Sequence, residues 1–186
     1  MNDITDETIA RAVQKGDTEQ FGVLMERYEE KLLRYGKRFL KDPDKITDAV
    51  QDVFIKCYQN IQSFDTDQRF SPWIYRIAHN TFINIIRENK KSPFHLFDFD
   101  TLVSHPTYSD PAVGEKEFET MRALLEKNMG ELSPQYQEIL ILYYLEELPY
   151  KDIADVLRIP VSTVGVRLHR AKEQLKKHFI LPEEYA

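Results

Sequence analysis

A hydrophobic stripe with helical spacing dominates the first ninety residues of the chain. Phe21, Leu24, Met25, Tyr28, Leu32, Tyr35 and Phe39 step by three or four positions, which lines them along one side of a helix. Ile46, Ala49, Val50, Val53, Phe54, Cys57 and Ile61 repeat the pattern. A third helix opens at Ser71-Pro72, with Ser as the N-cap and Pro at the first helical position, and its inner face reads Ile74, Ile77, Ala78, Thr81 and Ile85. A shorter helix, Asp6 to Gln14, comes first and stops at the Lys15-Gly16-Asp17 turn. No alternating run is long enough for a half-buried strand, so this half is read as a helical bundle.

The pattern stops at Lys91-Ser92-Pro93, and the stretch from Phe94 to Pro111 follows neither period. Its prolines and acids predict an extended linker. Helical spacing resumes with Phe118, Met121, Leu124 and Leu125, and a capped helix starting at Ser133-Pro134 carries Ile139, Leu140, Leu142 and Tyr143. Two further helices follow, about Tyr150–Leu157 and Ser162–Phe179, separated by Arg158-Ile159-Pro160. Ile153, Ala154, Leu157, Ile159, Val164 and Leu168 occupy the inward positions of a helix-turn-helix, with the small Ala154 permitting a close crossing. The second helix of such a unit enters the major groove by its N-terminal end. There Ser162 and Thr163 would meet phosphates or base edges, while Arg167 and Arg170 share one face. A plain helical hairpin with a solvated basic face fits the same spacing less well.

Charge sharpens this division. The 186 residues carry 31 acids and 25 bases, net −6, with 42% hydrophobic and 30% charged residues, an ordinary globular composition. Residues 92–119 hold six acids and one base, whereas Arg69–Lys91 holds five bases and one acid. Gly165–His178 likewise holds five bases (Arg167, Arg170, Lys172, Lys176 and Lys177) against one acid. Two basic patches therefore flank an acidic middle, and local phosphate neutralisation suffices for nucleic-acid binding by a weakly acidic chain. One cysteine, Cys57, leaves no intramolecular disulfide and reads as a small buried hydrophobe. No apolar leader and no stretch of about 18 apolar residues is visible. The expectation is a soluble cytoplasmic protein.

Candidate chemistry is sparse. His79, His95, His105, His169 and His178 show no metal-ligand spacing, so no metal is expected. Six glycines form no phosphate-binding loop and no nucleophile elbow, and nothing supports catalysis or a cofactor. The outer face of the third stripe is richer: Tyr75, Arg76, His79, Asn80, Ile83, Asn84 and Arg87. Asparagines flanked by arginines can hydrogen-bond base edges. Trp73, Phe70 and Phe64 can stack on unpaired bases or equally form core; composition alone favours core beneath a solvated face.

The residues themselves go further. The segments R-A-V-Q-K-G-D-x-x-x-F (11–21), D-A-V-Q-D-V-F-I-K-C-Y (48–58), F-S-P-W-I-Y-R-I-A-H-N (70–80) and L-P-Y-K-D-I-A-D-V-L-x-I-P-V-S-T-V-x-V-R-L-H-R-A (148–171) resemble an extracytoplasmic-function RNA polymerase sigma factor. The resemblance covers nearly the whole chain in order. It implies an all-α protein of two small helical domains joined by a flexible acidic linker, the second domain holding the helix-turn-helix. Residues 1–92 would be sigma region 2, 93–111 the linker and 112–186 region 4.

The resemblance also assigns roles. Asp48, Gln51, Asp52, Phe54 and Ile55 match the part of region 2 that docks on the polymerase β′ clamp helices. Residues 64–70 match the loop that receives a flipped base of the −10 element. Phe64, Phe70, Trp73, Tyr75, Arg76, Asn80, Asn84 and Arg87 make up the expected −10 surface, with Trp73 and Tyr75 open between packing and support of melting. Ser162, Thr163, Arg167, His169 and Arg170 make up the −35 surface. Core RNA polymerase (β′ clamp helices and β flap), promoter DNA and an anti-sigma factor are the implied partners, with no direct membrane insertion and a monomeric free state. Three residues depart from the family: Gly165 and Val166 where a basic residue and a hydroxyl are usual, and Pro149 in place of a serine cap. Between Ser162 and Arg167, Gly165 is expected to face DNA. The competing reading is a stand-alone helix-turn-helix regulator, which usually dimerises on palindromic sites, yet no dimer helix is visible.

Overall fold

The computed structural model describes residues 4–88, 115–128 and 132–178, all helical or in short connections. The chain divides into two compact units, Met1–Phe94 and His95–Ala186. The acidic stretch 93–111, with His95 and His105, lies outside the described residues.

Unit 1 contains α1 (Asp6–Gln14), α2 (Gln20–Gly36), α3 (Pro43–Asn60), a 3₁₀ turn (Ile61–Ser63) and α4 (Phe70–Glu88). Thr5 caps α1 by accepting the Thr8 N–H, and the Asp42 carboxylate caps α3 by accepting the Asp44 N–H ahead of Pro43. Gly16 turns the chain between α1 and α2 at φ 104°, a left-handed conformation that suits glycine. The whole Ile46–Ile61 stripe is buried, and so is the Phe21–Tyr35 stripe except Met25. Met25 is exposed because it sits at the edge of an arc already filled by Leu24, Tyr28 and Leu32.

Helix α4 departs from the one-stripe reading. It begins at Phe70, so Ser71 and Pro72 lie inside its first turn and Ser71 is not the N-cap. The free Phe70 N–H is instead satisfied by the Glu7 carboxylate of α1 at 2.9 Å. Its buried arc includes Tyr75, Phe82 and Ile83 besides Ile74, Ala78 and Thr81, because α4 packs against α1, α2 and α3 rather than one neighbour. Gly36 allows the closest approach: a Cβ there would stand 2.6 Å from Phe82 Cζ and 2.9 Å from Ile46 Cγ2.

Unit 2 contains α5 (Glu115–Asn128), α6 (Pro134–Leu140) running into a π-helical turn (Ile141–Leu145), α7 (Tyr150–Leu157) and α8 (Val161–His178). Every residue from Ile139 to Leu145 is buried, which one face of a regular α-helix cannot achieve. The wider turn, closed by Glu146 N–H to Ile141 O at 3.0 Å, lies at the centre of the unit, with α5, α6 and α7 packed on it. Ser133 stands at the N-cap of α6 but its hydroxyl makes no capping bond; its backbone carbonyl accepts from Tyr136 and Gln137 instead.

Candidate nucleic-acid interface

In unit 1, α3 turns one side outward. Asp48, Gln51, Asp52 and Ile55 are exposed there, Ile55 at 54%. Tyr58 and Met25, also exposed, lie on α3 and α2, and Phe21 meets the Tyr58 ring edge-on at 5.1 Å. Phe54 does not belong to this surface. It is 5% exposed, since its place next to Val53 and Val50 turns it into the bundle, and it is corrected to a core residue. Cys57 is fully buried, and burial pushes its thiol up to about 12, so it stays protonated and inert.

Beyond α3 the chain makes the 3₁₀ turn and an exposed loop before α4. Phe64, Phe70 and Trp73 close on one another with ring centroids 5.0–5.5 Å apart, and Tyr28 meets Phe70 edge-on at 5.5 Å. Phe64 and Phe70 are buried in this cluster, and Tyr75 is wholly buried against Tyr35 at 5.2 Å. Phe64 and Phe70 are therefore corrected from base-stacking candidates to the floor beneath the loop, their ring faces taken by ring-on-ring packing, and Tyr75, open between packing and support of melting, is a packing residue. Trp73 remains half-buried at the edge of the cluster.

The outward face of α4 carries the polar set. Arg76, Asn80, Asn84 and Arg87 follow Trp73 at intervals of three and four and so share one side of the helix. Arg76, Asn84 and Arg87 are exposed and Asn80 is half-buried. His79, assigned from sequence to the same face, turns toward the bundle, where Nδ1 lies 3.5 Å from Tyr35 Oη.

In unit 2, α7 and α8 form a helix-turn-helix. Arg158 adopts the left-handed conformation (φ 54°, ψ 47°) that ends α7, and Ile159 N–H closes the turn on Ala154 O at 3.2 Å. The Pro160 carbonyl then accepts from Thr163 and Val164, starting α8. Ile153, Ala154, Val164 and Leu168 are buried as expected; Leu157 and Ile159 are only half-buried, and Val156, absent from the sequence pattern, is fully buried. Ser162 and His169 are exposed, and Thr163, Arg167 and Arg170 are half-buried. Gly165 is buried. Its backbone is covered between Val164 and Leu168 on one side and exposed Ser162 and His169 on the other, so it is not the exposed position expected against DNA.

No helix among the described residues is long and apolar enough to cross a membrane, and no three metal-ligating side chains gather there. A half-open pocket of about 650 Å³ in unit 1, where α2 gives way to α3, is lined by Arg34, Lys37, Leu40, Lys41 and Ile46 among others. Sequence reasoning passed over α1 as a contributor to the loop, although its R-A-V-Q-K-G-D motif held Arg11 and Gln14, which reach it.

An exposed polar face beside an aromatic-floored loop lies in one helical unit and a helix-turn-helix in the other, and the family matches make the class a sigma-70-type transcription initiation factor. Residues 24–92 match the family described as Sigma-70 region 2, and residues 122–175 match Sigma-70, region 4. The chain is 32% identical to the ECF RNA polymerase sigma factor SigW of Bacillus subtilis, covering 90% of this chain and 92% of that one. It is 31% identical to the ECF RNA polymerase sigma-E factor of Escherichia coli K12, with 92% and 93% covered. Its fold matches the sigma factor RpoE of Bartonella quintana, crystallised with the anti-sigma factor NepR, at TM-score 0.59 and 20% identity, covering 86% and 96% of the two chains. The chain belongs to the extracytoplasmic-function RNA polymerase sigma factors. It binds core RNA polymerase and directs promoter-specific initiation of transcription.

Proposed function

We propose a division of labour within that activity. Residues 1–92 dock on polymerase and open the −10 element, residues 93–111 are a tether, and residues 112–186 hold the −35 duplex. The exposed α3 side of Asp48, Gln51, Asp52 and Ile55 docks on the β′ clamp helices, an apolar contact ringed by acids. Region 4 meets the β flap. The protein performs no bond chemistry, acts in the cytoplasm and is monomeric when free. An anti-sigma factor covers it when transcription is not required, as NepR is bound to the Bartonella quintana protein.

Opening a promoter requires unpaired bases to be held, at a cost of a few kcal/mol. The loop 64–70 receives one flipped base, and Arg76, Asn80, Asn84 and Arg87 hold the strand that follows. Trp73 packs at the edge, where a half-buried indole supports the upstream end of the bubble. In unit 2, Ser162, Thr163, His169, Arg167 and Arg170 contact phosphates and groove edges, giving duplex affinity and register.

The observation that carries this reading is the alignment of Arg76, Asn80, Asn84 and Arg87 on one solvent-facing side of α4 next to the aromatic-floored loop. Asn84→Ala removes amide donors and an acceptor from an exposed position, so the fold is unaffected. Losing one base contact at about 1–3 kcal/mol should cut open-complex formation on duplex promoter by roughly 5- to 150-fold. Templates already melted across the −10 region should be hit far less. Permanganate footprinting of the holoenzyme reads both; wild-type reactivity on the duplex would remove this face from the mechanism.

A further inference from the structure

No residue of α1 has a role of its own in the division of labour above, yet three of its side chains end on the loop that precedes α4. Glu7, Arg11 and Gln14, spaced by four and three, share one face of α1. Gln14 Nε2 donates to the backbone carbonyls of Ile61 and Phe64, both at 2.7 Å, and the Gln14 backbone carbonyl accepts from Gln62 Nε2 at 3.1 Å. Arg11 donates through Nε and Nη2 to Thr66 Oγ1 at 3.0 and 2.9 Å, and through Nη2 to Asp67 Oδ1 at 3.2 Å. The Glu7 carboxylate accepts the Phe70 N–H. The loop is thus gripped at its entry, its crest and its exit. Between those grips it is closed by its own Asp65, which accepts from the Asp67 and Gln68 N–H groups.

The helix that grips is itself anchored. Asp6 accepts from Arg27 and from the Tyr28 hydroxyl, both at 2.6 Å, and Tyr28 rests edge-on against Phe70. Burial and the Asp6 carboxylate both push the Tyr28 hydroxyl well above its usual range, so it remains a donor at every physiological pH. An unbroken set of contacts therefore runs from α2 through α1 to the loop.

We propose that Arg11 and Gln14 are positioning residues for the −10 loop: α1 holds residues 61–70 in the shape that accepts one unstacked base, and so sets which base is accepted. The proposal rests on the reading that this loop receives a promoter base. An unbraced loop would lose conformational entropy on capturing the base, whereas a braced one has lost it on folding. The Arg11–Asp67 pair is too exposed to add much stability, with side chains 51% and 85% accessible. Its contribution is directional, through a planar fork with donors in fixed positions.

The test uses holoenzyme and a fluorescent single-stranded hexamer carrying the −10 sequence of the strongest promoter, varied one base at a time. Gln14→Glu keeps the side-chain shape but turns a donor into an acceptor facing two carbonyls, so lost packing cannot mimic its effect. Gln14→Glu and Arg11→Ala should each weaken hexamer binding about tenfold. The preference at one base position should flatten, with affinity for core polymerase unchanged. Gln68→Ala, at an exposed loop position that neither α1 residue touches, serves as the second arm. If it alters base preference while the α1 variants do not, the brace is overturned and the loop reading stands; if neither arm alters preference, both fall. Hydrogen exchange on Arg11→Ala gives a readout independent of DNA: amides of 62–69 should exchange about tenfold faster than in the parent with the rest of unit 1 unaffected. Unchanged exchange in that segment would also overturn the brace.

Discussion

The helix-turn-helix of unit 2 and the loop before α4 in unit 1 are built at different ranges along the chain. In unit 2 the turn between α7 and α8 is shaped by its own residues: Arg158 in the left-handed conformation, the Ile159 N–H on Ala154 O, and the Pro160 carbonyl opening α8. In unit 1 the loop before α4 takes its shape from side chains 47 to 63 positions earlier, Gln14 on Ile61 and Glu7 on Phe70. A duplex groove has nearly constant geometry, so a locally specified helix pair suffices to meet it. A flipped base needs a pocket whose walls are fixed from several directions, and that calls for contacts from other helices.

The comparison can be broken one unit at a time, because the single tryptophan, Trp73, lies in unit 1. Its fluorescence reports unit 1 alone, while circular dichroism reports both units. The largest effect is expected from Gly165→Arg. A cation at this buried position must be desolvated or forced to the surface along its stem, costing about 3 kcal/mol. The dichroism transition should split and its unit 2 part fall, with the Trp73 transition unmoved. A variant as stable as the parent would return Gly165 to the DNA face.

Gly36→Ala is the counterpart in unit 1. Helix propensity alone would favour alanine by up to about 1 kcal/mol. The new Cβ, however, would meet Phe82 at 2.6 Å, and that ring is fully buried and stacked on Phe39 at 5.1 Å, so it cannot yield. Overpacking should win, with a net loss of about 1–2 kcal/mol seen in the Trp73 transition. A gain in stability would show that α2 and α4 can part without cost.

The smallest effect is expected from Arg158→Gly. An L-residue in the left-handed region is strained by about 1–2 kcal/mol, partly offset by the greater freedom glycine has when unfolded. A gain of about 0.5–1 kcal/mol should appear in the unit 2 transition only. A loss would mean that the exposed Arg158 side chain contributes more than its backbone strain costs, and that the turn is less locally determined than its geometry implies.

Much of this was legible before any coordinates. The stripe from Ile46 to Ile61 named the buried side of α3 because an amphipathic helix has one way to bury its apolar residues. The small Ala154 and Pro160 likewise mark a turn within a dozen residues, so the helix-turn-helix could be read locally, whereas the docking role of Asp48, Gln51, Asp52 and Ile55 came only from the resemblance. Only the tertiary structure decided the rest. Tyr75, Phe64 and Phe70 have helical or loop positions compatible with exposure, and it took neighbours from α2 and α3's following turn to bury them. Phe54 followed its own stripe inward, against the docking role the resemblance implied, and Gly165 is buried where exposure was expected, because a small residue at the margin of a stripe is assigned by which helices arrive beside it. The start of α4 depended on Glu7, a carboxylate 63 residues away that supplies the cap Ser71 was expected to provide. Periodicity records which side of one helix is apolar; it cannot record how many other elements will pack around that helix, and the number of those neighbours sets the width of the buried arc.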